Sequence, residues 1–287
     1  MDMRTGHEIL LSGLVACAAG ALLYVASTSG RYRSSIGILS FPAGTPVGKI
    51  SLKSYVSGVC ADSSGNVWLT TYADSAWTVY EYAHGGTKPI SEIKPARRHA
   101  ARGCAVDPTT GDLATLDDEG VEIFRGAKQG KAIDYSLGYV TPIACTFDSK
   151  GNLFIDGIQG STTFFLIEEL AKGSSKFEYL SLDSRYGFPA GIAWDGTYVA
   201  IATGGNGLKP VIYRFVVSGK TAKVVQSVHP DGLYYQPWIA INDGKVAGTA
   251  RRGGHHVDIW TYPAGGEPIE KPSEKFKTTG LTISVAN

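Results

Sequence analysis

The sequence predicts an all-β chain built from repeated units, and three observations carry that expectation. Its 287 residues hold 36 Gly, 15 Tyr, 10 Phe and 5 Trp against only 2 Met, the composition of many short strands joined by tight turns. A strand–Asp–Gly–strand phrase recurs along the chain, its aspartates Asp62, Asp107, Asp148, Asp195 and Asp243 spaced by 45, 41, 47 and 48 residues. The stretch from Ile38, "ILSFPAGTPVGKI", is nearly repeated from Ile259 as "IWTYPAGGEPIEK". A chain that ends on the phrase it begins with is expected to close on itself.

Each repeat reads as one propeller blade, because periods of 40 to 50 residues mark a supersecondary unit that buries its faces only against neighbours. "SGVCADSSGNVWLTT" from Ser57, "RGCAVDPTTGDLATL" from Arg102, "IACTFDSKGNLFIDG" from Ile143, "AGIAWDGTYVAIATG" from Ala190 and "WIAINDGKVAGTA" from Trp238 share one plan. A small or apolar strand runs into Asp, a Gly-containing turn follows, and a second strand leaves. Asp bonds backbone amides two residues on, and Gly takes positive φ, so these aspartates are turn formers before they are ligands. An apolar run, a Gly-rich turn and a shorter strand follow each hairpin.

The final "TTGLTISVAN" starts an inner strand at Gly280 with no outer partners, and "IGILSFPAGTPVGKISL", 36–52, is an outer pair with no inner strand before it. Joining them gives five whole blades and a sixth built from both termini, so that Gly280–Val285 pairs beside Ile36–Phe41 or reaches it through one intervening strand. Such closure removes exposed sheet edges. With Pro189-Ala190-Gly191-Ile192-Ala193-Trp194-Asp195 and Asp148-Ser149-Lys150-Gly151-Asn152, the pattern P-x-G-I-A-x-D-x-x-G-N resembles the NHL-repeat and gluconolactonase-like (SMP-30-type) six-bladed β-propellers, over nearly all the chain after residue 35. The resemblance implies the fold and leaves activity open between lactonases, lyases and binding platforms.

Ile9–Ser27, "ILLSGLVACAAGALLYVAS", carries no charge and is long enough to cross a bilayer as a helix. The expected division is therefore 1–27 as a hydrophobic signal or membrane-anchor helix, 28–35 as linker and 36–287 as propeller. Small residues permit cleavage just before Thr28, and Leu14-Val15-Ala16-Cys17 resembles a lipobox. The protein is expected outside the cytoplasm: secreted, periplasmic or membrane-anchored. Beyond this segment Cys60, Cys104 and Cys145 remain, all in expected inner strands, where they read as small buried hydrophobes; an odd number leaves at least one thiol unpaired. With 27 basic and 26 acidic residues the net charge is +1, which excludes an electrostatic case for nucleic acid and leaves contact with a membrane to the N-terminal segment alone.

The loops leading into inner strands and those between second and third strands open on one face, where aromatic rings and charges collect. Candidate ligand-binding residues there are Tyr72, Trp77, Arg102, Asp117, Asp156, Tyr186, Tyr235, Trp238 and Arg251. Rings on loops point to recognition, although Trp238, at the start of an inner strand, equally suits the core. The gluconolactonase-like resemblance implies a divalent ion held by Glu, Asn and Asp of different blades, but the channel-facing ends here are Ser57, Arg102, Pro142, Ala190, Pro237 and Thr279, poor ligands for calcium. No metal ligands, catalytic residues or cofactor are assigned. The reading is an exported module that binds a small molecule or protein without chemistry of its own. The alternative is a Ca2+-dependent lactonase-like hydrolase or lyase using Asp156, Asp117 or Asp118 at the channel mouth.

Overall fold

The computed structural model describes residues 20–286 except 31, 75, 96–101, 119, 131, 139, 160–164, 206 and 251–255. Six antiparallel sheets surround a central channel. Blade 1 consists of Tyr55–Ala61, Val67–Ala73, Ala76–Tyr82 and Pro89–Ile93. Blade 2 follows with Gly103–Val106, Leu113–Leu116, Gly120–Phe124 and Ile133–Ser136, and blade 3 with Val140–Phe147, Leu153–Gln159, Phe165–Leu170 and Glu178–Tyr179. Blade 4 is Phe188–Trp194, Val199–Gly205, Leu208–Ser218 and Thr221–Val228, with Ser181–Leu182 added in parallel outside the last strand. Blade 5 has three strands, Ile239–Asn242, Lys245–Ala250 and His256–Thr261; the backbone of Ile259 then bonds Ile269 and Glu270 in place of a full fourth strand.

The sixth blade closes the ring and corrects the expected N-terminal boundary. Its order from the axis outward is Thr278–Val285, Ala21–Thr28, Ser34–Ser40, Pro46–Leu52. Ala21–Thr28 is thus the intervening strand, pairing Val25 with Leu281 on one side and with Gly37 on the other. It is a strand where a signal or anchor helix was expected, and the propeller starts at residue 21 rather than 36. The remainder of the expected helix, through residue 19, lies outside the described residues. The apolar run has a simple cause. Leu22, Tyr24 and Ala26 pack towards blade 1, and Leu23 and Val25 towards blade 5, so a strand buried on both faces lacks polar alternation.

Six apolar clusters fill the structure, one at each blade interface. Near the axis the inner strands approach closely because small residues recur at one level: Gly58, Gly103, Ala144 and Gly280 line the narrow middle of the channel, a space of about 50 Å³. A Cβ on Gly58 would stand 2.7 Å from the Cα of Gly103. One level on, Cys60 and Cys104 form a disulfide between blades 1 and 2, leaving Cys145 as a buried thiol. The expectation of simple buried hydrophobes is therefore corrected for that pair: the inner strands of neighbouring blades run close enough to bring their sulfurs together.

The turn chemistry follows the sequence. Asp62, Asp148 and Asp195 each accept two backbone N–H bonds through Oδ1, at 2.7–2.9 Å, and Asp107 accepts from Thr109. Asp243 departs from this pattern: Asp243 and Gly244, with φ of 46° and 65°, form a two-residue hairpin between paired Asn242 and Lys245, the type I′ geometry favoured by Asp-Gly.

Candidate functional site at the channel mouth

The channel has two open ends separated by its narrow middle. The hairpin end is a cavity of about 340 Å³ lined by residues of all six inner strands, among them Cys145 and Trp194, and by Asp62 of the first hairpin turn. At the opposite end a recess of about 380 Å³ is walled by Tyr55, Ser57, Trp77, Arg102, Ile143, Trp238, Thr278 and Thr279. Most of these stand at the first residues of inner strands, and two owe their position to bulges. Ser57 and Ile143 are the extra residues where blades 1 and 3 shift register, and a bulge re-aims a side chain that regular pleating would turn elsewhere.

Aromatic rings continue outward from this mouth. Tyr72 lies against Trp77, with centroids 4.6 Å apart and planes tilted by 30°, and Tyr32 stands 6.4 Å beyond Tyr72. A second recess, of about 470 Å³, is lined by Thr28, Gly30, Tyr32, Tyr55, Tyr72 and Lys277; Tyr55 borders both. Arg102 donates from Nε to Asp118, and both side chains are nearly half exposed. The hydroxyl of Thr279 is buried without a partner.

Four residues expected on this face from the sequence therefore come together: Tyr72, Trp77, Arg102 and Trp238. The others separate. Asp117 is buried, its Oδ1 accepting the Gly120 N–H inside a turn. Asp156 is fully buried; its Oδ1 accepts the Ala144 N–H at 2.8 Å, beside the blade 3 bulge, and its Oδ2 has no partner. Burial pushes its carboxyl up to about 7 against the lowering effect of the Ala144 N–H. Asp156 thus satisfies a backbone donor freed by the bulge, at the level where blade 1 carries Thr70 opposite Gly58.

Tyr186 donates to Asp183 and stands edge-on to Phe165 and Phe215, beside a separate recess between blades 3 and 4. Tyr235 is 47% exposed, its ring tilted by 51° against that of Tyr234 with centroids 4.3 Å apart. Arg251 lies outside the described residues. Tyr32, Tyr55 and Lys277 escaped the sequence reading; Tyr32 follows the strand taken for leader, Tyr55 opens the inner strand of blade 1, and Lys277 sits in an unassigned connection. Among the described residues no three His, Cys, Asp or Glu side chains converge as metal ligands.

Away from the mouth, the most ordered polar cluster ties blade 4 to blade 5. Asp195 Oδ2 accepts Arg214 Nε at 2.7 Å and Tyr262 OH at 2.8 Å, while the guanidinium lies 4.6 Å from the Tyr198 ring centroid. Despite burial, these donors hold the Asp195 carboxyl below its ordinary value. All its groups are used within the fold, so it reads as a clamp between blades.

The fold and the aromatic mouth define a six-bladed β-propeller with its concave polar–aromatic site at one end of the channel. Solved structures share that fold. A protein of unknown function from Bacteroides caccae aligns with a TM-score of 0.65 at 14% identity, over 92% of this chain and 99% of its own. TolB from Acinetobacter baumannii aligns at 0.64 and 12% identity, over 96% of this chain and 69% of its own. An inactive virginiamycin B lyase from Staphylococcus aureus, solved with quinupristin, aligns at 0.54 and 16% identity, over 86% and 83%. No family model and no curated protein matches the chain. At these identities the likeness is one of fold: the expected six-bladed β-propeller is borne out, and membership of the NHL-repeat or gluconolactonase-like family is not.

Proposed function

We propose that the protein is an exported binding propeller that takes a small molecule or protein segment at the channel mouth, with no catalytic set of its own. The observation carrying this reading is the convergence of Tyr55, Trp77 and Trp238 with Arg102 around one recess of about 380 Å³, a size and polarity typical of ligand sites. Of the carboxylates that the hydrolase alternative draws on, Asp156 and Asp117 serve the backbone inside the blades, and Asp118, at the mouth, is paired with Arg102. The Cys60–Cys104 disulfide supports an oxidising compartment, since cytosolic thiols are kept reduced.

The test is photo-crosslinking in the native envelope with benzoylphenylalanine in place of Tyr55, at the mouth, or Tyr179, exposed on the outer part of blade 3. Adducts from position 55, diminished by Trp238→Phe, are expected. Adducts from position 179 alone would overturn the assignment of the site. Metal-dependent lactone hydrolysis abolished by Asp156→Asn would overturn the non-catalytic reading.

A further inference from the structure

We propose that the ligand of the mouth is a neutral oligosaccharide, lying from the central recess across Tyr55 towards Tyr32. This rests on the mouth being the ligand site and adds the chemical class. The first support is the run of rings. Two recesses share Tyr55; Tyr72 and the 40%-exposed Tyr32 border the outer one, and Trp77, 8% exposed and packed against Tyr72, edges the inner one, so aromatic rings line one path. A pyranose ring presents a flat face of slightly positive C–H groups, which complements the negative face of an aromatic quadrupole. Successive rings along a path suit a chain of such units better than a single compact molecule.

The second support is the balance of polar groups. Arg102 is paired with Asp118, so an anion at that point would face the carboxylate and a cation the guanidinium. A vicinal diol meets both: one hydroxyl donates to Asp118 while its neighbour accepts from the guanidinium N–H groups not directed at Asp118. The third support is Thr279, whose hydroxyl is buried and unpartnered at the wall of the same recess. Its Oγ1 is closed off from solvent in this side-chain position, so a rotation of the Thr279 side chain towards the recess is what would let a ligand hydroxyl supply the missing bond. Ser57 and Thr278 stand beside it, and Lys277 adds donors at the outer recess.

Isothermal titration with cellohexaose, maltohexaose, mannohexaose and chitohexaose, each against its monosaccharide and against hexagalacturonate, tests the class. At least one neutral hexasaccharide should saturate the protein and bind at least about tenfold tighter than its monosaccharide. Thr279→Val should weaken that binding roughly 2- to 10-fold, one neutral hydrogen bond, with the melting temperature unchanged or raised because no protein partner is lost. Arg102→Gln should weaken it as well, and Tyr235→Ala should leave it unaltered. Tighter binding of hexagalacturonate than of every neutral chain, or a Thr279→Val variant that binds as well as the parent, would overturn the proposal. If no saccharide binds while position 55 still captures a partner in the envelope, the oligosaccharide is wrong and the mouth stands; if both fail, both readings fall.

Discussion

Asp156 makes stability fall as pH rises, and the effect can be isolated by one substitution. Its carboxyl is fully buried with a single hydrogen bond and an unpartnered oxygen, and burial raises it to about 7. An unfolded aspartate titrates near 3.9. Between roughly pH 4 and pH 7 the folded state therefore holds a proton that the unfolded state has released, so stability declines with pH across that window and levels off above it. At about 1.4 kcal/mol per pKa unit, ionising Asp156 costs on the order of 4 kcal/mol. The neighbouring Cys145 thiol, raised by its own burial and then by the Asp156 charge, stays neutral throughout and does not offset this.

Asp156→Asn keeps the acceptor for Ala144 and removes the titration, at a fixed cost from its buried amide donors of about 1–3 kcal/mol. Denaturant unfolding of both proteins from pH 4 to pH 8 gives the difference between them, in which every other carboxylate cancels. That difference should move in favour of the variant by up to about 4 kcal/mol as pH rises. A difference that stays flat from pH 4 to pH 8 would refute the reasoning and place water or a partner group at Oδ2.

Other perturbations address the ring and its processing. Because Ala21–Thr28 is a blade strand, protein from the native envelope should begin at or before Ala21 by mass spectrometry, with a diacylglyceryl mass if it begins at Cys17; a variant beginning at Thr28 should aggregate, and a cooperative fold from it would contradict the seam. Ser284→Ala removes a buried hydroxyl that meets His84 Nδ1 at 2.7 Å and donates to the Gly65 carbonyl across the blade 6–blade 1 seam, and should cost about 1–3 kcal/mol by denaturant unfolding. Reducing Cys60–Cys104, which closes a separation of 44 residues, should cost about 4 kcal/mol in the same assay; an unchanged midpoint under reductant would show that the strands are held without it.

The blades were legible because their signals are local. Asp and Gly mark each hairpin within a few residues, and four of the five aspartates do the expected work in the turn. The strand at 21–28 was not legible as a strand, since burial on both faces by different blades erased the period-two pattern and merged it in sequence with the apolar residues before it into one run. The disulfide required knowing which levels of neighbouring inner strands meet, which spacing alone does not give. In the site, Trp77, Arg102 and Trp238 were found by lying next to inner or third strands, where position along the strand fixes the face. Asp156 and Asp117 misled because burial is invisible in sequence: a carboxylate bonding a backbone amide inside a blade reads the same as one aimed into the channel.

The central claim is that ligand enters the mouth and not the hairpin end, and the five tryptophans are placed to decide it. Trp77 and Trp238 wall the mouth, Trp194 lines the hairpin-end cavity, and Trp68 and Trp260 are buried within blade interfaces. Protein labelled with 5-fluorotryptophan, titrated with size-fractionated native envelope extract and followed by fluorine NMR, should show the Trp77 and Trp238 resonances moving together while Trp68, Trp194 and Trp260 stay in place. Movement of Trp194 with the mouth pair unmoved would put the ligand at the opposite end and contradict the account.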